Sequence, residues 1–154
     1  MLQDAAATEA AGATLANALP RADGAALRIF LCGELGAGKT TFTRGFLRGL
    51  GYAGRVPSPT YTLVEPYEVA DRRVWHLDLY RLGDGAEVQY LGLDEMGGAG
   101  SVLLIEWPER GAGYLPSEDL SLVLKVISNG RSLSMSARTP PGEVLMEAFL
   151  SRIE

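Results

Sequence analysis

The chain has 154 residues, with 14 basic and 19 acidic side chains and a net charge of −5. At 47% hydrophobic and 21% charged residues it can fill one core, which predicts a single domain over residues 1–154 and excludes a disordered or fibrous chain. One cysteine, Cys32, and one histidine, His76, exclude a disulfide framework, a zinc cluster built on cysteine and a multi-histidine metal site within one chain, and the acidic balance disfavours broad electrostatic capture of RNA or DNA while leaving a local basic patch open.

The opening MLQDAAATEA has no basic region followed by an apolar run, so it does not read as a secretory signal. No stretch approaches the roughly 18 apolar residues of a membrane helix. A cytoplasmic protein without membrane contact is the expectation. Asp4 to Leu19 is alanine-rich and predicts a helix, capped by Asp4 or Thr8. Ala26 to Cys32 is a short apolar run that fits a buried strand. Gly33 to Gly38 is a glycine-rich turn. Lys39 to Leu50 follows a helical period, with Phe42, Phe46 and Leu50 on one stripe and Gly51 as a stop.

Two prolines keep Val56 to Thr60 out of a helix. Tyr61 to Val69 and Arg73 to Tyr80 alternate like two strands around Ala70-Asp71-Arg72. Ala86 to Met96 predicts a short helix. Ser101 to Trp107 is the most apolar run and predicts a central strand. Leu120 to Ser128 and Arg131 to Ala137 flank Asn129-Gly130, a strong hairpin signal. Glu143 to Ile153 closes as a helix with Leu145, Phe149 and Ile153 in line. The class is α/β, with a mixed parallel and antiparallel sheet flanked by helices.

Residues 33–40, GELGAGKT, fit G-x-x-x-x-G-K-[ST], the phosphate-binding loop, with a strand before and a helix after. Gly33, Gly36 and Gly38 let the backbone curl so that successive N–H groups, with the helix N-terminus, point at a β-phosphate. Lys39 supplies a full charge to the β- and γ-phosphates, and the Thr40 hydroxyl can ligate magnesium. Magnesium is a hard ion that takes carboxylates and water. Two acids qualify as its partners: Asp78 in HLDLY and Glu106 at the end of VLLIE. Burying either without a partner is expensive. The plainer readings are an Asp78 pairing with Arg81 or Arg73 and a Glu106 salt bridge at a strand end. The segment VPSPTYTLVEPY offers Ser58 and Thr60 where related hydrolases keep a γ-phosphate sensor, although its spacing serves a stiff proline turn equally well.

His76 is expected to pack or to bond within its own strand, and Cys32 to be a small core residue. The strand pleat predicts that Trp107 lies on the face opposite Glu106, as core or as a cover for a nucleotide or partner. No nucleophile has a visible activating partner. Arg44, Arg48 and Arg55 are near the loop in sequence, but their helical period does not aim them at a γ-phosphate. The site therefore reads as incomplete on its own, which predicts slow unaided hydrolysis.

With GELGAGKTTFTRGFLRGLG at 33–51, SPTYTLVEPY at 58–67, HLDLYRL at 76–82 and IEWPE at 105–109 assembled, the sequence resembles the TsaE family. This is the small P-loop ATPase of bacterial tRNA threonylcarbamoyladenosine synthesis. The resemblance implies ATP or ADP bound from Gly33 to Thr41, including Leu35, Gly36, Ala37, Gly38, Lys39 and Thr40. It implies Mg2+ at Thr40 and Glu106, with Asp78 as an essential acid that also faces the metal. Lys39, Asp78 and Glu106 are then the catalytic set. It further implies an adenine-side contact near Thr8 and an approach of Arg131 to the nucleotide. The implied partners are TsaD and TsaB, the TsaB–TsaD complex that modifies adenosine 37 of tRNAs reading codons that begin with A, with tRNA met only indirectly. A small-molecule kinase and a nucleotide-gated adaptor without essential hydrolysis are the competing readings.

Overall fold

The structure, a computed structural model, describes residues 1–153. Six strands form one sheet: β1 (Leu27–Cys32), β2 (Val64–Val69), β3 (Arg72–Asp78), β4 (Val102–Glu106), β5 (Leu120–Ile127) and β6 (Gly130–Ala137). Their spatial order is β2-β3-β4-β1-β5-β6. β3, β4, β1 and β5 run parallel, and the two hairpins add antiparallel β2 and β6 at the edges. β4 is buried at every residue, as a central parallel strand must be when both faces are covered.

Three α-helices, α1 (Ala5–Asn17), α2 (Lys39–Gly49) and α3 (Pro140–Ile153), cover one face. Leu15, Phe42, Phe46 and Phe149 pack there on Ile29, Leu31, Leu104 and Leu122. The other face, with Leu77, Leu103 and Ile105, is closed by Leu82, Val88 and Met96 from irregular segments. Here the expected helix over Ala86 to Met96 is instead two 3₁₀ turns, Gly85–Tyr90 and Leu93–Met96. Gly92 between them is left-handed at φ 78°, which ends one turn before the next begins.

Local chemistry sets the boundaries. Asp4, not Thr8, caps α1, accepting from the Ala7 N–H at 2.8 Å. The β2–β3 turn is Ala70-Asp71, both at positive φ, so β3 already starts at Arg72. β2 starts later than its alternation suggests, because Leu63 is left-handed at φ 67°. α1 and α2 lie in backbone contact through glycine: a Cβ on Gly12 would sit 2.1 Å from the Phe42 carbonyl oxygen. Among the described residues no helix is long and apolar enough to cross a membrane.

Candidate functional site

β1, β3 and β4 end on one side of the sheet, the edge where parallel α/β folds place their ligands. The loop from Gly33 to Gly38 follows β1 directly and delivers α2. Its three glycines have φ of 149°, 79° and 108°, conformations that L side chains rarely adopt. A Cβ on Gly33 would also meet the Leu124 carbonyl oxygen at 2.5 Å. Lys39, only 5% exposed, folds back over the loop and donates to the carbonyls of Gly33 and, at 3.0 Å, Glu34. Burial pulls its ammonium below the ordinary lysine pKa, and the carboxylates of Glu106 and Asp78 oppose that shift.

Asp78 and Glu106 are register partners on β3 and β4. Both are buried, at 4% and 3% exposure, and both line the same cleft of about 410 Å³ as Lys39 and Thr40. Their surroundings differ. Asp78 Oδ1 accepts from the Tyr80 N–H at 2.9 Å, while Oδ2 accepts from the Ser58 and Thr60 hydroxyls at 3.3 and 3.2 Å. Neither Arg73 nor Arg81 pairs with it; Arg73 bonds Glu68, and Arg81 donates to the Tyr61 hydroxyl at 3.2 Å. Glu106 Oε2 lies 2.5 Å from His76 Nε2, a contact across strands and not within one, with both residues buried. Its other oxygen stays available to the cleft. The donors here are a threonine hydroxyl and two carboxylates, hard oxygens that fit Mg2+ together with phosphate and water. Among the described residues no group of three or more His, Cys, Asp or Glu side chains could hold a metal unaided.

Several walls of the cleft come from residues far apart in sequence. Leu35, Gly36, Gly38 and Thr41 line it on the loop side, and Arg131 lies against that loop. Arg131 Nε donates to the Ala37 carbonyl at 2.8 Å, and a second guanidinium nitrogen to the Gly36 carbonyl at 3.1 Å. Ala37 is buried under the loop, and Gly33 contributes through its carbonyl. Thr8 is 1% exposed and sits behind Gly38, its methyl 3.4 Å from where a Cβ there would be. Trp107 and Glu106 line the cleft together. β4 stops at Glu106, and Trp107 turns left-handed at φ 56° and ψ 49°, which cancels the alternation of the pleat. Its ring then lies 4.4 Å from Lys39 Nζ and 4.9 Å from the Tyr80 ring. Pro108 biases its predecessor toward extended backbone, so nothing local in the sequence announced this left-handed turn. Arg81, also on the cleft, stacks on the exposed Tyr61 ring at 4.3 Å.

A larger cavity of about 510 Å³ lies at the far end of the β2–β3 hairpin, where Arg72, Arg73, Asp71 and Glu95 mix charges and no phosphate loop is present. The chemistry is concentrated in the smaller cleft. Burial raises the Cys32 thiol pKa, as for an inert core-edge cysteine.

The order of the strands, the glycine loop between β1 and α2 and the lysine folded over it define a P-loop protein. Comparison with known proteins narrows this. The family model for TsaE, threonylcarbamoyl adenosine biosynthesis protein, matches residues 2–133. The tRNA threonylcarbamoyladenosine biosynthesis protein TsaE of Haemophilus influenzae is 44% identical over 124 residues, 80% of this chain and 78% of the relative. That of Bacillus subtilis is 45% identical over 93 residues, 60% of this chain and 58% of the relative. The crystal structure of Bacillus subtilis YdiB superimposes with a TM-score of 0.78 at 31% identity, covering 98% of this chain and 92% of that one. The chain belongs to the TsaE family.

Proposed function

We propose that this chain binds Mg2+–ATP in the cleft and hydrolyses it in support of the TsaB–TsaD complex, which forms threonylcarbamoyladenosine at position 37 of tRNAs reading codons that begin with A. One observation carries the reading: the loop that cradles phosphate, Lys39, Thr40 and the register pair Asp78 and Glu106 all meet at the C-terminal ends of three parallel strands. The loop's N–H groups and Lys39 take the β- and γ-phosphates. Magnesium, when bound, offsets the charge that develops on the phosphates. Glu106 is the better direct ligand, since one of its oxygens is free while both Asp78 oxygens already accept from protein donors. Asp78 ties Ser58 and Thr60 to the γ-phosphate side, so the 56–67 segment can report the nucleotide state.

Neither arginine on the cleft is free to stabilise a transition state here. Arg81 is held on Tyr61, and Arg131 is spent on loop carbonyls. That supports slow hydrolysis alone and acceleration by a partner that reorders them. The test is steady-state phosphate release with and without TsaB–TsaD, with Thr60→Ala as a control for the segment. The complex is expected to raise the rate and Thr60→Ala to blunt the rise. An unchanged rate, or many turnovers per second by the chain alone, would favour a self-sufficient ATPase. A phosphorylated metabolite among the products would favour the kinase.

A further inference from the structure

Beside the cleft, three arginines from two segments converge. Arg44 and Arg48 are one helical turn apart on α2 and so share a face. After α2 the chain reverses at Gly51, φ 98°, and the Tyr52 hydroxyl donates to the Arg55 carbonyl at 3.3 Å, holding the returning segment. Arg55 thereby joins Arg44 and Arg48 around a groove of about 480 Å³. No acidic residue lines this groove. Arg44 has a partial counter-charge in Glu9 at 3.3 Å, whereas Arg48 and Arg55 form no ion pair among the described residues. Like charges held together repel, and on a chain of net charge −5 such a cluster is not a solubility device.

From this we infer that the groove is a docking site for an acidic segment of a protein partner. The inference rests on the reading that the TsaB–TsaD complex docks on this chain. A guanidinium matches a carboxylate in bidentate geometry, so three of them fit a short run of Asp or Glu side chains. RNA fits less well. Its affinity is built from many phosphate contacts, and here the basic surface is one groove on an acidic molecule. Thr40 and Ser58 line both the groove and the nucleotide cleft, and Ser58 also bonds Asp78. Docking is therefore coupled to whatever occupies the cleft, through a shared wall.

The experiment measures binding of the full chain to TsaB–TsaD by calorimetry, with Mg2+ and a non-hydrolysable ATP analogue, for the native protein and for Arg48→Glu/Arg55→Glu. The double variant is expected to bind the complex at least tenfold more weakly and with less dependence on salt, while its melting temperature and ATP affinity match the native chain. Native-like affinity for the complex overturns the groove and leaves the functional reading intact. A parallel loss of ATP affinity also overturns it, by putting the arginines in the nucleotide site. If the variant instead loses only tRNA retention, the occupant is RNA and the inference is wrong. If the native chain fails to bind the complex at all, the reading and the inference fall together.

Discussion

Alanine in place of Gly45 tests how α1 positions the phosphate loop. An added Cβ would sit 1.9 Å from the Glu9 carbonyl oxygen and 2.6 Å from its Cα. Non-bonded heavy atoms settle near roughly 3.5–4 Å, so the helices must part locally by about 1.5 Å. In an open helix the same change stabilises by about 1 kcal/mol. Against backbone that cannot swing away, overpacking costs at the upper end of about 1–3 kcal/mol, which leaves a net loss of about 2 kcal/mol. At about 2–4 °C per kcal/mol for a domain of this size, the melting temperature should fall by about 4–8 °C. The effect reaches the site, because α1 carries Thr8 against Gly38. Displacing that wall misaims loop N–H groups, and losing one charge-assisted bond, about 1.5 kcal/mol, weakens ATP by about tenfold. Thermal melts and calorimetry read both effects, with Gly24→Ala, whose new Cβ would meet only the Arg21 carbonyl oxygen at 3.6 Å, as the neutral control. A Gly45→Ala protein that melts at or above the native temperature would refute the backbone contact between the helices.

Lys39→Ala should weaken ATP by about tenfold to a hundredfold, since each charge-assisted bond is worth about 1.5–3 kcal/mol; unchanged affinity would remove the phosphate-loop assignment. Asp78→Asn and Glu106→Gln keep shape and lose charge, so hydrolysis should drop by about a hundredfold or more while ADP binding persists; a variant with full turnover marks its residue as structural. Because burial lowers the Lys39 pKa, and bound phosphates would raise it again, nucleotide binding should take up protons as pH climbs through the lowered value. Affinity then declines toward high pH, and calorimetry in buffers of different ionisation enthalpy should show uptake for the native chain and none for Lys39→Ala. The isolated chain should retain tRNA weakly at physiological salt; a sub-micromolar dissociation constant would show a stronger basic surface than one groove supplies.

What was legible in the sequence was what neighbouring residues decide. The phosphate loop is eight consecutive residues whose glycine spacing has few structural alternatives. Strands and hairpins followed from alternation and turn chemistry. Legibility faded where a boundary was a single backbone choice. Trp107 reads as the next residue of a strand, and only its left-handed φ brings it to the same cleft as Glu106. The Ala86 to Met96 segment has a helical composition, yet Gly92 divides it. His76 looked like strand packing because its partner, Glu106, is 30 residues away and meets it through the β3–β4 register. The arginine groove was invisible for the same reason: helical period places Arg44 and Arg48 together, but nothing local says that Arg55 returns to them.

These distant pairings share a purpose in the architecture. Asp78 is fixed by β3, yet its free valences go to Ser58 and Thr60 on the irregular segment before β2. Arg131 stands at the start of β6, just past the hairpin turn, yet it holds the carbonyls of Gly36 and Ala37. In both cases a rigid element grips a loop through two hydrogen bonds to short, exchangeable acceptors or donors. On the proposed reading, phosphate and magnesium would compete for just those groups: the phosphates for the arginine, the ion for the carboxylate. Filling the cleft must therefore loosen at least one grip as it tightens others. The 56–60 segment is walled on one side by the cleft and on the other by the arginine groove, so on the proposed reading it is the element through which that exchange would reach a partner.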